Sequence, residues 1–214
     1  MAEFEPAYER LLRAEGGYVN DPTDPGGETY AGISRRSFPQ WPGWPLVEAL
    51  KRDPDFPQVL GRDPQVQLQV RIFYEREFWA PLRGPELPSQ RTAEFLLQMA
   101  VNLGARRAVR IFQRSCNLLN DQERLFSDLA VDGLIGPKTL GAVSRIVAAG
   151  WEEPLLQLLA IFQGERYIAL VERDPALRRF LRGWLSRIED GLTARRDRRS
   201  GPGDRESTLS PGPA

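Results

Sequence analysis

The chain contains no histidine. That absence excludes a Ser-His-Asp or Cys-His nucleophile pair and removes the commonest zinc and copper ligand. One cysteine, Cys116, cannot close a disulfide within the chain, nor complete a structural zinc or iron–sulfur site. Lysine is nearly absent as well: Lys51 and Lys138 stand alone, and the other 27 of 29 basic residues are arginine. These are balanced by 29 acidic residues, so no bulk charge draws the chain to nucleic acid, and none is expected as a partner. No window approaches 18 consecutive apolar residues, so stable membrane insertion is not expected. The first seventeen residues lack the basic and apolar runs of a classical signal peptide. The expectation is a protein made in the cytoplasm with no export signal.

What the chain does have is an ordinary globular balance, 41% apolar and 27% charged over 214 residues. Its apolar residues recur mostly at helical spacing. Phe4, Tyr8, Leu11 and Leu12 mark a helix over 3–15, stopped by Gly16 and Gly17. The stretch that follows, to Ile33, is rich in Gly, Pro, Asp, Asn and Thr and reads as turns with room for a small hairpin. Trp41 and Trp44 lie between prolines in a rigid aromatic loop, read as pinning a lid onto the core rather than stacking on a ligand. Further helices are predicted over 46–52, from Pro64 to Phe78, from a cap at Ser89 to Asn102, over 105–119, from Pro137 to Ala149, and over 152–173. Asp174-Pro175 breaks the pattern before a last helix carrying Phe180, Leu181, Trp184, Leu185 and Ile188. Cys116 falls on an apolar face and reads as a small core residue. From about Thr193 the chain is Arg, Gly, Ser and Pro, too polar to offset its ordering entropy, and is expected to be disordered. The class is mainly α, with any β confined to the region after the first helix.

With histidine missing, acid–base chemistry falls to Asp, Glu, Tyr, Lys or the lone thiol. The densest cluster of such residues runs from Glu15 to Ile33, EGGYVNDPTDPGGETYAGI. Glu15 sits where a helix gives way to glycines that let a ligand approach closely. Asp24 and Thr29 follow on the facing loop. A carboxyl, a second carboxyl and a hydroxyl are the parts glycoside hydrolysis needs. On spacing alone two readings stay open: this chemistry, or a carboxylate that caps a turn and an Asp that starts one.

The same stretch resembles the signature of the glycoside hydrolase 108 family, N-acetylmuramidases of the lysozyme superfamily. The matching residues are Glu15, Gly16, Gly17, Asp24, Gly26, Gly27, Thr29, Gly32 and Ile33. The resemblance continues in IFYEREFW at 72–79, AVNLG at 100–104, VDGLIGPKT at 131–139, and in Phe180, Gly183, Trp184 and Arg187 near the end. One departure is Gln98, where an Asp is expected.

This resemblance implies a lysozyme-like helical fold with a small loop or β-hairpin region after the first helix. It implies a catalytic region over 1–93, a helical region predicted to bind peptidoglycan over 94–192, and a tail beyond. Glu15 is then the general acid for the β-1,4 bond between N-acetylmuramic acid and N-acetylglucosamine. Asp24 stabilises the developing positive charge or acts as base, and Thr29 holds the attacking water. Tyr18, Gly26, Gly27, Tyr30 and Asn102 are expected substrate contacts, Asn102 alternatively serving only to close its helix. A general acid must stay protonated well above the ordinary Glu value of roughly 4.3, which burial against rings such as Tyr18, Phe73, Tyr74 or Trp79 provides. No metal or cofactor is called for. The implied partner is the peptidoglycan strand, met by a monomeric endolysin released through a holin-type pore, by lysis or by non-classical export. A lytic transglycosylase and a non-catalytic wall-binding or secretion-assisting protein are the alternatives.

Overall fold

A computed structural model describes residues 1–14, 17–20 and 27–193. Glu15, Gly16, Asp24 and Gly26 lie outside the described residues, as does the tail expected to be disordered beyond Thr193.

The first helix, α1 (Phe4–Ala14), places Phe4, Ala7, Tyr8 and Leu11 on one buried face. After it come three two-residue strands, β1 (Tyr18–Val19), β2 (Thr29–Tyr30) and β3 (Ile33–Ser34), paired antiparallel in chain order. Tyr30 faces Ile33 across a two-residue turn, Ala31-Gly32, in which both residues have positive φ (46° and 75°). That geometry is the one whose twist suits a hairpin, although only glycine adopts it without strain. Tyr74 Oη secures the turn by donating to the Ala31 carbonyl at 2.7 Å.

Seven more helices follow among the described residues: α2 (Trp44–Leu50), α3 (Pro64–Tyr74), α4 (Gln90–Leu103), α5 (Ala105–Leu118), α6 (Pro137–Ala148), α7 (Glu152–Arg173) and α8 (Arg178–Thr193). Their starts are chemical. Asp63 accepts from the N–H groups of Gln65 and Val66 just before Pro64, and Ser89 accepts from Thr92. α2 begins two residues earlier than the apolar spacing suggests, because Pro45 is tolerated in a first helical turn. α3 does not run on to Phe78 as a regular helix. From Glu75 to Trp79 it widens into a π turn, with Ala80 N–H reaching the Glu75 carbonyl at 2.8 Å. The wide turn seats Trp79 against Phe4, ring centroids 5.7 Å apart, and a Cβ on Gly84 would lie 2.1 Å from the Trp79 ring.

α4 is the spine. It packs on α1, α5, α7 and α8, and buries Phe95, Leu96, Leu97, Met99 and Ala100 in a core that runs unbroken from Ala2 to Ala160. Gly104, at φ 86°, ends α4 and starts α5, so the chain reverses without a loop. Cys116 is fully buried in α5, and burial pushes its thiol up to about 12. It is core filling.

Candidate active site

The sheet and α2 meet over a cluster of polar side chains. Its centre is Glu28, one residue before β2, whose side chain is only 11% exposed. Tyr18 Oη donates to Glu28 at 2.9 Å, Arg35 at 2.6 Å, and Lys51 lies 2.7 Å away. Both cations also pair with Glu48 on α2, and the Arg35 guanidinium lies 5.2 Å from the centre of the Trp44 ring. Burial works to raise the Glu28 pKa, but the hydrogen bonds from Lys51, Arg35 and Tyr18 outweigh it and hold the carboxyl below its ordinary value. Burial and the bond to Glu28 push the Tyr18 phenol up. Glu28 therefore stays ionised and ties β1, the start of β2 and the segment after β3 to α2. Sequence reasoning missed it. The one available signal was Lys51, half of the chain's lysine, since Tyr18, Glu28, Arg35 and the Glu48–Lys51 pair are spread along the chain.

Thr29 follows directly, in β2, paired with Val19 on one side and Ser34 on the other. Its Oγ1 donates to the Gly27 carbonyl at 3.2 Å, which leaves the oxygen's lone pairs to accept from a ligand. Gly27 has φ 63° and nothing within 4 Å of where a Cβ would stand. Tyr30, the next residue, is buried, and its hydroxyl accepts from Gln67 at 2.7 Å, so its side chain is committed to holding the hairpin on α3. The Tyr18 ring packs edge-on to Phe56 at 4.7 Å.

The other rings form an inner wall. Phe73 contacts Phe38, Trp41, Tyr74 and Phe78, and Tyr8 joins Tyr74 at 6.1 Å. Trp41 and Trp44 are buried, with their indole N–H groups bonded to the carbonyls of Gln69 and Phe38, so they pin the loop to the core. Trp79 packs at the Phe4 end of α1, away from the hairpin side of the chain.

Asn102 does not cap its own helix. Its Oδ1 accepts from Arg187 on α8 at 3.1 Å, while Gln98, one turn earlier, donates to the Arg187 carbonyl at 2.8 Å. The Gln98 departure thus joins α4 to α8. Among the described residues, no group of three or more Cys, Asp or Glu side chains could hold a metal ion.

Residues 8–104 match the family model described as Glycosyl hydrolase 108, and residues 107–189 match one described as a Predicted Peptidoglycan domain. Residues 8–104 are a glycosyl hydrolase 108 domain. It is a glycoside hydrolase, and the two matches together make it a peptidoglycan hydrolase. The structure of Brucella abortus SagA is similar, with a TM-score of 0.57 and 25% identity over 87% of this chain and 90% of that one. No curated protein matches. The mainly α, lysozyme-like architecture expected from the sequence is what the helices and the small sheet form. The two family matches meet at the α4–α5 reversal, where Gly104 stands.

Proposed function

We propose that this glycosyl hydrolase cleaves the β-1,4 bond between N-acetylmuramic acid and N-acetylglucosamine, with Glu15 as its general acid. The observation that carries this reading is the order Glu15, Asp24, Thr29 within the glycosyl hydrolase 108 match, following α1 and leading into the hairpin. The protonated Glu15 carboxyl gives its proton to the glycosidic oxygen as the bond to the sugar's C1 breaks. The Asp24 carboxylate faces the positive charge that develops on that sugar. Thr29 Oγ1, already donating to Gly27, accepts a hydrogen bond from the incoming water and so turns a water lone pair toward C1, while the water's proton passes to the Asp24 carboxylate as the new C–O bond forms. Tyr18, Gly26 and Gly27 border the sugar. Tyr30 serves the site by fixing the hairpin, and Asn102 lies at the end of α4 in the hold of Arg187.

In this reading residues 1–93 carry the chemistry and 94–192 retain the wall. The enzyme acts as a monomeric endolysin of a phage or prophage, reaching peptidoglycan from the cytoplasm through a holin-type pore. No helix among the described residues is long and apolar enough to cross a membrane.

Zymography on purified peptidoglycan with wild type and Glu15→Gln tests the assignment. Clearing should vanish in the variant while its thermal unfolding is unchanged. A folded Glu15→Gln that clears at the wild-type rate sinks it. The mass of the released muropeptides separates water attack from a transglycosylase, whose products carry a 1,6-anhydro ring.

A further inference from the structure

α8 carries a face that the catalytic reading leaves unused. Phe180, Gly183, Trp184 and Arg187 stand at i, i+3, i+4 and i+7, which is one side of a helix. The Phe180 and Trp184 rings are nearly parallel, 20° apart with centroids separated by 6.1 Å. Trp184 continues the stack inward to Tyr167 on α7 at 5.2 Å, and Gln163 fixes Tyr167 through its hydroxyl at 2.8 Å. Phe180 is 37% exposed, and Trp184 is half-buried. Beside them Gly183 has nothing within 4 Å of where a Cβ would stand. A glycine inside a helix gives up stability relative to alanine, and here no packing neighbour requires it. Its effect is to leave the ledge between the rings flat.

The ledge is anchored at one end and polar at the other. Arg187, one turn past Trp184, donates to Asn102 Oδ1 at the end of α4, where the hydrolase match meets the peptidoglycan match. Arg179 lies 4.7 Å from the centre of the Phe180 ring, supplying guanidinium donors at the rim. Flat rings with donors at their edge suit a pyranose, which offers an apolar C–H face and a periphery of hydroxyl and N-acetyl oxygens.

We propose that the Phe180–Gly183–Trp184 ledge is a glycan subsite that stacks an N-acetylhexosamine of the peptidoglycan strand, in line with the end of α4. The proposal rests on the peptidoglycan-hydrolase assignment but not on Glu15, because stacking needs no turnover. The occupant is glycan rather than a second copy of the chain because the ledge is short, carries a cation at its rim, and continues into the helix end that the hydrolase region shares.

The test uses the full chain in a Glu15→Gln background, so binding is read without hydrolysis. The probes are purified sacculi in a sedimentation assay and the β-1,4 tetramer of N-acetylglucosamine in a fluorescence titration. Trp41, Trp44 and Trp79 are buried, so a sugar-induced change in emission reports on the half-buried Trp151 and Trp184, and the Trp184→Phe variant tells the two apart. Phe180→Ala and Gly183→Leu should each weaken tetramer binding about tenfold and lower the fraction sedimented with sacculi, and Trp184→Phe should abolish the emission change. Gly183→Leu also separates binding from folding, since its side chain enters open space and its unfolding temperature should not fall. Unchanged binding by both folded variants overturns the subsite. So does a wild-type dimer in sedimentation equilibrium that Gly183→Leu dissolves, which assigns the ledge to self-association. Clearing retained by Glu15→Gln would overturn the general-acid role of Glu15 and not the subsite, which is read from binding alone.

Discussion

Two glycine-rich segments of this chain are held in opposite ways. The first, around Gly27–Arg35, is pinned by charge: the Glu28 carboxylate gathers Arg35, Lys51 and the Tyr18 hydroxyl, and the two cations reach on to Glu48. The second, the loop from Asp121 to Gly136, is pinned by neutral amides. Gln113, Asn117 and Asn120 stand a turn apart along α5 and its end. Gln113 donates to Asp132 and the Leu134 carbonyl and accepts from Gly133 N–H; Asn117 exchanges two bonds with Leu129; Asn120 donates to Asp128. A buried amide satisfied on both ends fixes a loop in one geometry with no charge to desolvate. A carboxylate between two half-exposed cations fixes a loop more weakly, but imposes a field beside it. The charged clamp stands next to Thr29. The neutral one stands in the match described as a Predicted Peptidoglycan domain, where the DGLIGPKT segment turns into α6 with Gly133, Ile135 and Thr139 buried.

The contrast breaks most visibly at Gln113. Gln113→Ala leaves the buried Gly133 N–H and the Leu134 carbonyl without their partner, at a cost of about 3 kcal/mol. For a chain of this size that lowers the unfolding temperature by roughly 6–12 °C. Activity measured well below the transition should stay within about twofold of wild type, less than a 1 kcal/mol change in barrier. If clearing falls as steeply as stability, the second loop takes part in catalysis and the division of labour is wrong.

Glu28→Gln should do the reverse. It keeps the shape and the Tyr18 contact but leaves Lys51 and Arg35 with Glu48 as their remaining carboxylate, at about 1–2 kcal/mol of stability, since both cations are partly solvated. Clearing should drop about tenfold, because Thr29 rides on the clamped strand and Lys51 is freed to pair elsewhere; that is a barrier of about 1.4 kcal/mol. Peptidoglycan sedimentation should not change. A variant with full activity and lowered stability would make the clamp purely structural.

The difference between these two regions also measures what the sequence could say. The helices were legible because their signals are local: Asp63-Pro64, the Ser89 cap, Gly104, and the break at Asp174-Pro175. The motif residues on the hairpin were legible through resemblance. The Glu28 clamp was not, since Tyr18, Arg35 and the Glu48–Lys51 pair come from three separate segments and the three charged residues look like ordinary surface charges. Nor was the link from Asn102 and Gln98 to Arg187, which spans more than eighty residues. The π turn at Glu75–Trp79 was hidden for another reason: it obeys the same apolar pattern as the helix it interrupts.

Acid separates the clamps further. Pairing holds the Glu28 carboxyl below its ordinary value, so its share of stability is complete above the unfolded value of about 4.3 and is lost as pH falls through the lower folded value. Urea unfolding from about pH 6 to about pH 3 should show the gap between wild type and Glu28→Gln closing as the acid protonates. Of the four partners of Gln113, two are backbone groups and one is the Thr139 hydroxyl, none of which titrates here; only Asp132, whose carboxyl Gln113 helps hold below its ordinary value, responds to acid, so the Gln113→Ala gap should close only in part over the same range. Parallel curves for the two variants would remove charge as the distinction between the regions.

The smallest effect tests how the charged region tolerates strain. Ala31 sits at φ 46° in the hairpin turn, a conformation that costs an alanine about 1–2 kcal/mol, and the Tyr74 hydroxyl holds its carbonyl there. Ala31→Gly removes the strain but gives the unfolded chain more freedom, for a net gain of about 0.5 kcal/mol. That is a rise in unfolding temperature of roughly 1–2 °C. Tyr74→Phe in the same assay should lose about 1 kcal/mol as its hydrogen bond disappears. Combined with Ala31→Gly it should lose less than that, because a turn at rest needs less holding. A strictly additive pair would mean that Tyr74 does not restrain the turn, and that the hairpin carrying Thr29 is positioned by the Glu28 clamp and the Tyr30–Gln67 bond.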